Sequence, residues 1–301
     1  MTLPTHVALT VDGVQIAMSD LTRVAAALSK QLLRDFGPIW GVTATIDPFP
    51  QLEDVPLDYW PVIVTRGVQG AAGYHEDKNG QPFALVEFDQ DWGLTASHEC
   101  LEMLADPFGR RLRAGNIPDQ AIALGFKPGR VQFLVEVCDP SEGGQFSYQI
   151  NGVTVSDFYT PHFFDPVRSS GVRYSFTGAI DAPRKVLEDG YISYRDPVSK
   201  HWFQIRMFPD DVSTKVPHIV DLTTNKVFND LVQGGTNLRA AIDMVTPRPS
   251  YARSLRGAAL MAHRVGAETS EASQTARAES IRADIRQLKR ERPRPDRAKR
   301  R

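Results

Sequence analysis

Apolar residues at Leu21, Val24, Ala25, Leu28, Leu32 and Phe36 recur every three or four positions, which predicts an amphipathic helix. Ser19 or Asp20 can cap it, and Gly37-Pro38 is the expected stop. Before it, His6 to Val11 reads as a first strand. After it, Trp40 to Ile46 alternates like a strand, Pro48 and Pro50 open a polar loop, and Val62-Ile63-Val64 forms a short buried strand. Ala71 to His75 and Phe83 to Phe88 flank Asn79-Gly80, a hairpin-turn signal. The next periodic stretch, Thr95 to Pro107, predicts a helix ended by Pro107 and Gly109.

Further on, Val131 to Val137 is an apolar run leading into Glu136-Val137-Cys138-Asp139-Pro140. A second hairpin is predicted where Asn151-Gly152 separates Tyr148-Gln149-Ile150 from Val153-Thr154-Val155. It leads into an aromatic and polar stretch, Ser156 to Pro166. From Val172 to about Met244 the pattern is mainly β, with strands at Tyr174-Ser175-Phe176, Tyr191 to Tyr194 and Trp202 to Ile205. Gly234-Gly235 marks a loop, and Leu238 to Met244 a short helix. From Pro247 the composition turns polar: residues 268–290 predict a polar helix, and Arg290 to Arg301, with Pro293 and Pro295, a disordered end. The fold class expected is α+β, in three regions: 1–166 carrying the chemistry, 167–250 as a mainly β supporting subdomain, and 251–301 as a basic tail.

Composition adds four constraints. With 301 residues and 42% hydrophobic side chains the chain can bury a substantial core. No apolar run approaches the roughly 20 residues of a membrane helix and no leader pattern opens the chain, so the expectation is a cytoplasmic protein without a membrane partner. Cys100 and Cys138 are the only cysteines, which excludes a disulfide framework and favours two reduced, structural thiols. The net charge of −1 conceals an uneven distribution: the last 50 residues carry about +8 and the rest about −9. An acidic body argues against a nucleic-acid-binding core. The basic tail at 286–301 offers a surface for an acidic partner or a nucleic acid, and the plainer expectation for it is a solvated extension.

The chemistry concentrates in the Thr95 to Pro107 helix. His98 and Glu102 are four apart, so an imidazole and a carboxylate share one helix face and can point at the same ion. Glu99 beside them is placed to take a proton from a metal-bound water, as in HExxH metalloproteases with Glu standing for the second His. The competing expectation is a surface cluster of salt bridges in which His98 is merely hydrogen-bonded. One His with two carboxylates is a hard, anionic donor set, for which Zn2+ is the first choice and manganese or iron conceivable.

Ser97-His98-Glu99-Cys100-Leu101-Glu102 with Asp106-Pro107, then Glu136 to Asp139, then Tyr148 and Asn151-Gly152, resembles bacterial zincin-like proteins with an SHExxExxxDP helix. It is more remotely similar to the exordium, or phosphate-induced, proteins of plants. The resemblance covers roughly residues 38 to 165. It implies a zincin-like mixed sheet packed on the metal-binding helix, His98 and Glu102 as ligands, and Glu99 as general base. For the third ligand it puts Glu136 first, with Asp139 and Asp106 as rivals, a capping role suiting Asp106 better. Zincins also need an oxyanion donor, for which Tyr159 and His162 are the candidates, either of which could instead be core. Tyr74 and His75 are expected to line the cleft or pack. The expected function is a zinc-dependent hydrolase, most readily a peptidase acting on a peptide or protein. The alternatives are a non-catalytic metal-binding scaffold that recruits partners through its tail and, more weakly, a nucleic-acid-associated factor driven by the tail alone.

Overall fold

The computed structural model describes residues 4–68, 72–208 and 217–246, with 279, 282, 283 and 286 of the tail. Ala71 and most of the predicted tail elements lie outside the described residues. The chain is mixed α and β, with a mainly β later region.

The first sheet is built from β1 (Thr5–Asp12), β2 (Ala44–Pro48), β3 (Tyr59–Thr65), β4 (Gly73–Lys78) and β5 (Gln81–Glu87), in the order β2-β1-β3-β5-β4. Four strands are parallel and β4, at one edge, is antiparallel to β5. The β4–β5 hairpin closes at Asn79-Gly80, both residues having positive φ, as this turn requires.

Helix α1 (Met18–Lys30) buries Leu21, Val24, Ala25 and Leu28 as the periodicity predicts. It does not stop at Gly37-Pro38. A π-helical turn, Gln31–Phe36, carries it into α2 (Gly37–Trp40), which ends on left-handed Gly41. Pro38 sits in the first turn of α2, where its missing N–H costs nothing.

Helix α3 (Trp92–Ala105) buries every residue from Ala96 to Ala105. It lies against β5, β4 and β3 on one side and the second hairpin on the other, so it is buried nearly all round, its polar residues Ser97, His98, Glu99 and Glu102 included. It ends at Asp106, whose carboxylate accepts from Arg111 N at 2.7 Å, while the Arg111 guanidinium donates to Ala105 O. Asp106 therefore caps the helix end.

The second sheet has the order β12-β11-β10-β7-β6 and is antiparallel throughout: β6 (Leu112–Asn116), β7 (Arg130–Leu134), β10 (Tyr191–Arg195), β11 (Trp202–Arg206) and β12 (His218–Asp221). It draws strands from both sides of residue 166. The hairpin of β8 (Tyr148–Ile150) and β9 (Val153–Val155) turns at Asn151-Gly152. Tyr174 to Phe176, expected as a strand, makes only an isolated bridge between Ser175 and Tyr159. Three short helices complete the described chain: α4 (Asp119–Ala123), α5 (Lys226–Gln233) and α6 (Leu238–Val245). No helix among the described residues is long and apolar enough to cross a membrane.

Candidate metal centre

The helical spacing of His98 and Glu102 has the consequence it predicts: His98 Nε2 lies 3.4 Å from Glu102 Oε2. Asp139, at the first position of the 3-10 turn that follows β7, brings Oδ1 to 3.3 Å from the same nitrogen. The other oxygen of Glu102 is committed, since Oε1 accepts from Cys138 N at 3.1 Å. The loop from Cys138 to Asp139 thus orients Glu102 through its backbone and meets His98 through its side chain.

Glu136 faces elsewhere. Its Oε2 accepts from Arg239 Nε at 2.7 Å, and the same guanidinium reaches Glu102 Oε2 at 3.2 Å and His75 O at 3.0 Å. Of the two carboxylates singled out in that segment, Asp139 faces His98 and Glu136 faces Arg239. The physical reason is local: β7 ends at Leu134, and the chain then leaves strand geometry, so alternation no longer tells which carboxylate points inward.

Glu99 lies on the neighbouring face of α3. Its Oε2 is 3.5 Å from His75 Nδ1 and 4.0 Å from Arg239, and His75 Nδ1 is also 3.7 Å from Glu102 Oε2. Gly73 permits this approach of β4 to α3. A Cβ there would sit 2.6 Å from Thr95 Cγ2 and 2.9 Å from Glu99 Cγ.

Ser97 anchors the start of the motif. Its hydroxyl donates to Gln31 Oε1 and accepts from Ser156 N, and Gln31 Nε2 donates to Ser156 O. The π-helical turn after α1, the helix α3 and the end of β9 are thereby joined next to His98.

Tyr159 is fully buried, its ring stacked on Phe163 and tilted against Trp40. Its hydroxyl has no hydrogen-bond partner among the described residues. Burial, with the nearby carboxylates of Glu136, Glu102 and Asp139, holds the phenol well above its usual range and so protonated. His162 does not join the cluster. It is exposed, with Nδ1 2.9 Å from Asp165 Oδ2, because the 3-10 turn Pro161–Phe164 points Phe163 and Phe164 inward and leaves the imidazole outside. The expected salt-bridge cluster is present but buried rather than on the surface: His98 pairs with Glu102 and Asp139, and Arg239 with Glu102 and Glu136.

Packing four carboxylates together is costly, and the protonation balance shows it. Burial alone would lower His98, but Glu102 and Asp139 hold it well above the ordinary imidazole range. Glu102 is pushed up by burial, yet His98 and Arg239 hold it well below the carboxylate norm. Burial raises Glu136 well above its usual range against the pull of Arg239, and Glu102 and Asp139 add to the rise. Arg239 and the His98 imidazole, held in its charged form by Glu102 and Asp139, supply the positive charge among these carboxylates, and a divalent cation between His98, Glu102 and Asp139 would take the place of the imidazole proton. Cys100 and Cys138 are both unbridged and buried, Cys100 pushed up to about 12 by burial, so neither offers a thiolate.

His75 and Arg239 are the two members of this group that the pattern of the sequence did not single out for chemistry. His75 had one signal, its position just before the hairpin that leads into α3. Arg239 had none, being one arginine in a short helix 137 residues from Glu102. No protein-family profile matches the chain, and no similar curated protein or solved structure is found for it.

Proposed function

We propose that this protein is a divalent-metal hydrolase of zincin-like architecture acting on peptide bonds, with zinc as the first choice of ion. His98, Glu102 and Asp139 hold the metal, Glu99 is the general base, and Tyr159 is the hydrogen-bond donor to the developing oxyanion. The observation that carries this is the spacing of donor atoms. Separations of 3.3 and 3.4 Å between His98 Nε2 and the two carboxylate oxygens match the edges of a tetrahedron with bonds of about 2.0–2.2 Å. The arrangement of α3 under a mixed sheet, with the antiparallel edge strand β4 beside it, supports the same architecture.

A bound divalent ion would supply Lewis acidity, polarising a water molecule and a substrate carbonyl. The remaining work falls to the chain. Glu99 accepts the proton of the attacking water and passes it to the leaving amine. The protonated Tyr159 hydroxyl, buried within the electrostatic reach of Glu136, Glu102 and Asp139 and without a hydrogen-bond partner among the described residues, would stabilise negative charge on the carbonyl oxygen. Cys138 N–H engages Glu102 Oε1, which leaves Oε2 as the oxygen that would serve an ion.

Elemental analysis of the purified protein, followed by wild type and Glu99→Gln on a broad peptide library, tests this reading. About one ion per chain is expected in both proteins, with cleavage lost in Glu99→Gln by about 10²-fold or more. A protein without metal, or equal cleavage by both, overturns it.

One observation favours the second reading, a metal-binding scaffold without catalysis. The cluster is almost sealed, His98 at 7% being its most exposed member, and Arg239 occupies the carbonyl of His75 on the edge strand. A protein that holds its ion and cleaves nothing selects this alternative.

A further inference from the structure

The centre contains two sets of donors that share one carboxylate. His98, Glu102 and Asp139 form the first, and His75, Glu99 and Glu102 the second. In the second, His75 Nδ1 is 3.5 Å from Glu99 Oε2 and 3.7 Å from Glu102 Oε2, again the spacing of donors around one divalent ion. The His75 side chain is wholly buried, and neither of its ring nitrogens has a hydrogen-bond partner among the described residues. By donor chemistry this is a second cation position, and paired ions about 3.5–4 Å apart are a common hydrolytic arrangement.

A cation of another kind already stands there. The Arg239 guanidinium is 3.2 Å from Glu102 Oε2 and 4.0 Å from Glu99 Oε2, with its Nε on Glu136. It is held stiffly. Asn237 donates to Phe108 O at 2.7 Å and to Asp77 Oδ1 at 3.1 Å, and its own oxygen accepts from Arg239 N at 2.9 Å. Gly109 makes room for this segment, for a Cβ there would meet Asn237 Oδ1 at 2.6 Å and Arg239 Cβ at 2.9 Å.

We propose that Arg239 is the in-chain substitute for a second metal ion: it limits the centre to one divalent ion at His98, Glu102 and Asp139 and excludes another from His75, Glu99 and Glu102. The proposal rests on the reading above that the first set binds an ion. Lone-pair accounting supports it. Glu102 Oε1 is committed to Cys138 N–H, so Oε2 must serve every cation, and a carboxylate oxygen offers about two directions. One goes to the ion beside His98 and the other to Arg239, which leaves none for a second ion. Arg239 also draws Glu136 to itself and so keeps a fourth protein ligand off the ion. In this account it is a positioning residue.

The test uses the full chain as wild type, Arg239→Gln, Arg239→Lys and the double variant Arg239→Gln/His75→Ala. Each is titrated with Mn2+ by calorimetry, and the spin coupling of bound Mn2+ is read by electron paramagnetic resonance. Expected stoichiometries are one for wild type and for Arg239→Lys, two with an exchange-coupled signal for Arg239→Gln, and one again for the double variant. A folded Arg239→Gln that binds a single ion overturns the proposal, as does a wild type that binds a coupled pair. If Arg239→Gln does not fold, saturated wild type decides: isolated Mn2+ supports the exclusion and a coupled pair refutes it. A wild type that binds no ion fails the hydrolase reading first and this inference with it. One ion in both wild type and Arg239→Gln fails this inference alone.

Discussion

The Tyr159 hydroxyl is a buried polar atom with no hydrogen-bond partner among the described residues. Such groups cost about 1–3 kcal/mol when left unmatched, and a role with substrate would account for the cost. Tyr159→Phe removes the hydroxyl and keeps the ring against Trp40 and Phe163. The expected outcome is unchanged metal content, an unfolding temperature equal to or slightly above wild type, and a kcat lower by about 10²–10³-fold, checked by calorimetry and steady-state kinetics. At this scale the helix period made His98, Glu99 and Glu102 legible, because four residues close one turn. It could not separate Asp139 from Glu136, since both follow the end of a strand and the turn between them decides the matter. Nor could it exclude His162, whose neighbours Phe163 and Phe164 take the inward directions of a tight turn.

The contact of β4 with α3 is the element-scale fact on which the centre depends, and Gly73 is the residue that sets its closeness. Gly73→Ala brings a methyl group against Thr95, Glu99 and the Leu85 carbonyl at 3.0 Å or less. Thr95 can turn aside, but the Leu85 backbone cannot. The substitution should destabilise the fold by about 1–3 kcal/mol and reduce cleavage more than metal binding, because Glu99 moves while His98 and Asp139 do not. Thermal unfolding and metal titration of this variant check both parts. Elements with short-range signals were legible: the periodic face of α1, both Asn-Gly hairpins, α3 and α6. Those settled by tertiary context were not. Gly37-Pro38 reads as a stop, yet Pro38 lies inside a helix that continues to Trp40, and Tyr174 to Phe176 alternates like a strand but pairs only with the three residues Phe158 to Thr160.

Across the whole molecule, the two sheets and α3 are tied together by buried polar groups as well as by the apolar core, and an ion in the centre would join that set. At a free concentration about a thousandfold above Kd it would add about 4 kcal/mol to stability. Removing it with a chelator should then lower the Tm by roughly 10 °C, reversibly on adding the ion back; an unchanged Tm would show that the centre holds no ion of consequence for the fold. The charge asymmetry of the sequence finds one expression within the chain, where Arg282 of the basic tail pairs with Asp12 and Glu53 of the acidic body. Long-range partners of this kind, Arg239 among them, leave no periodic trace, which is why the centre was only half visible in the sequence.

The bond from Arg239 to the His75 carbonyl closes a loop of 164 residues, against 36 for the bond from Cys138 to Glu102. Closing the longer loop costs more chain entropy, and on the ribosome Arg239 emerges a full hundred residues after Glu136. A nascent chain therefore contains all the carboxylates and imidazoles of the cluster before it contains the guanidinium that pairs with them. On the metal-binding reading proposed above, both cation positions would stand open during that interval, until α6 brings Arg239 to Glu102 and Glu99.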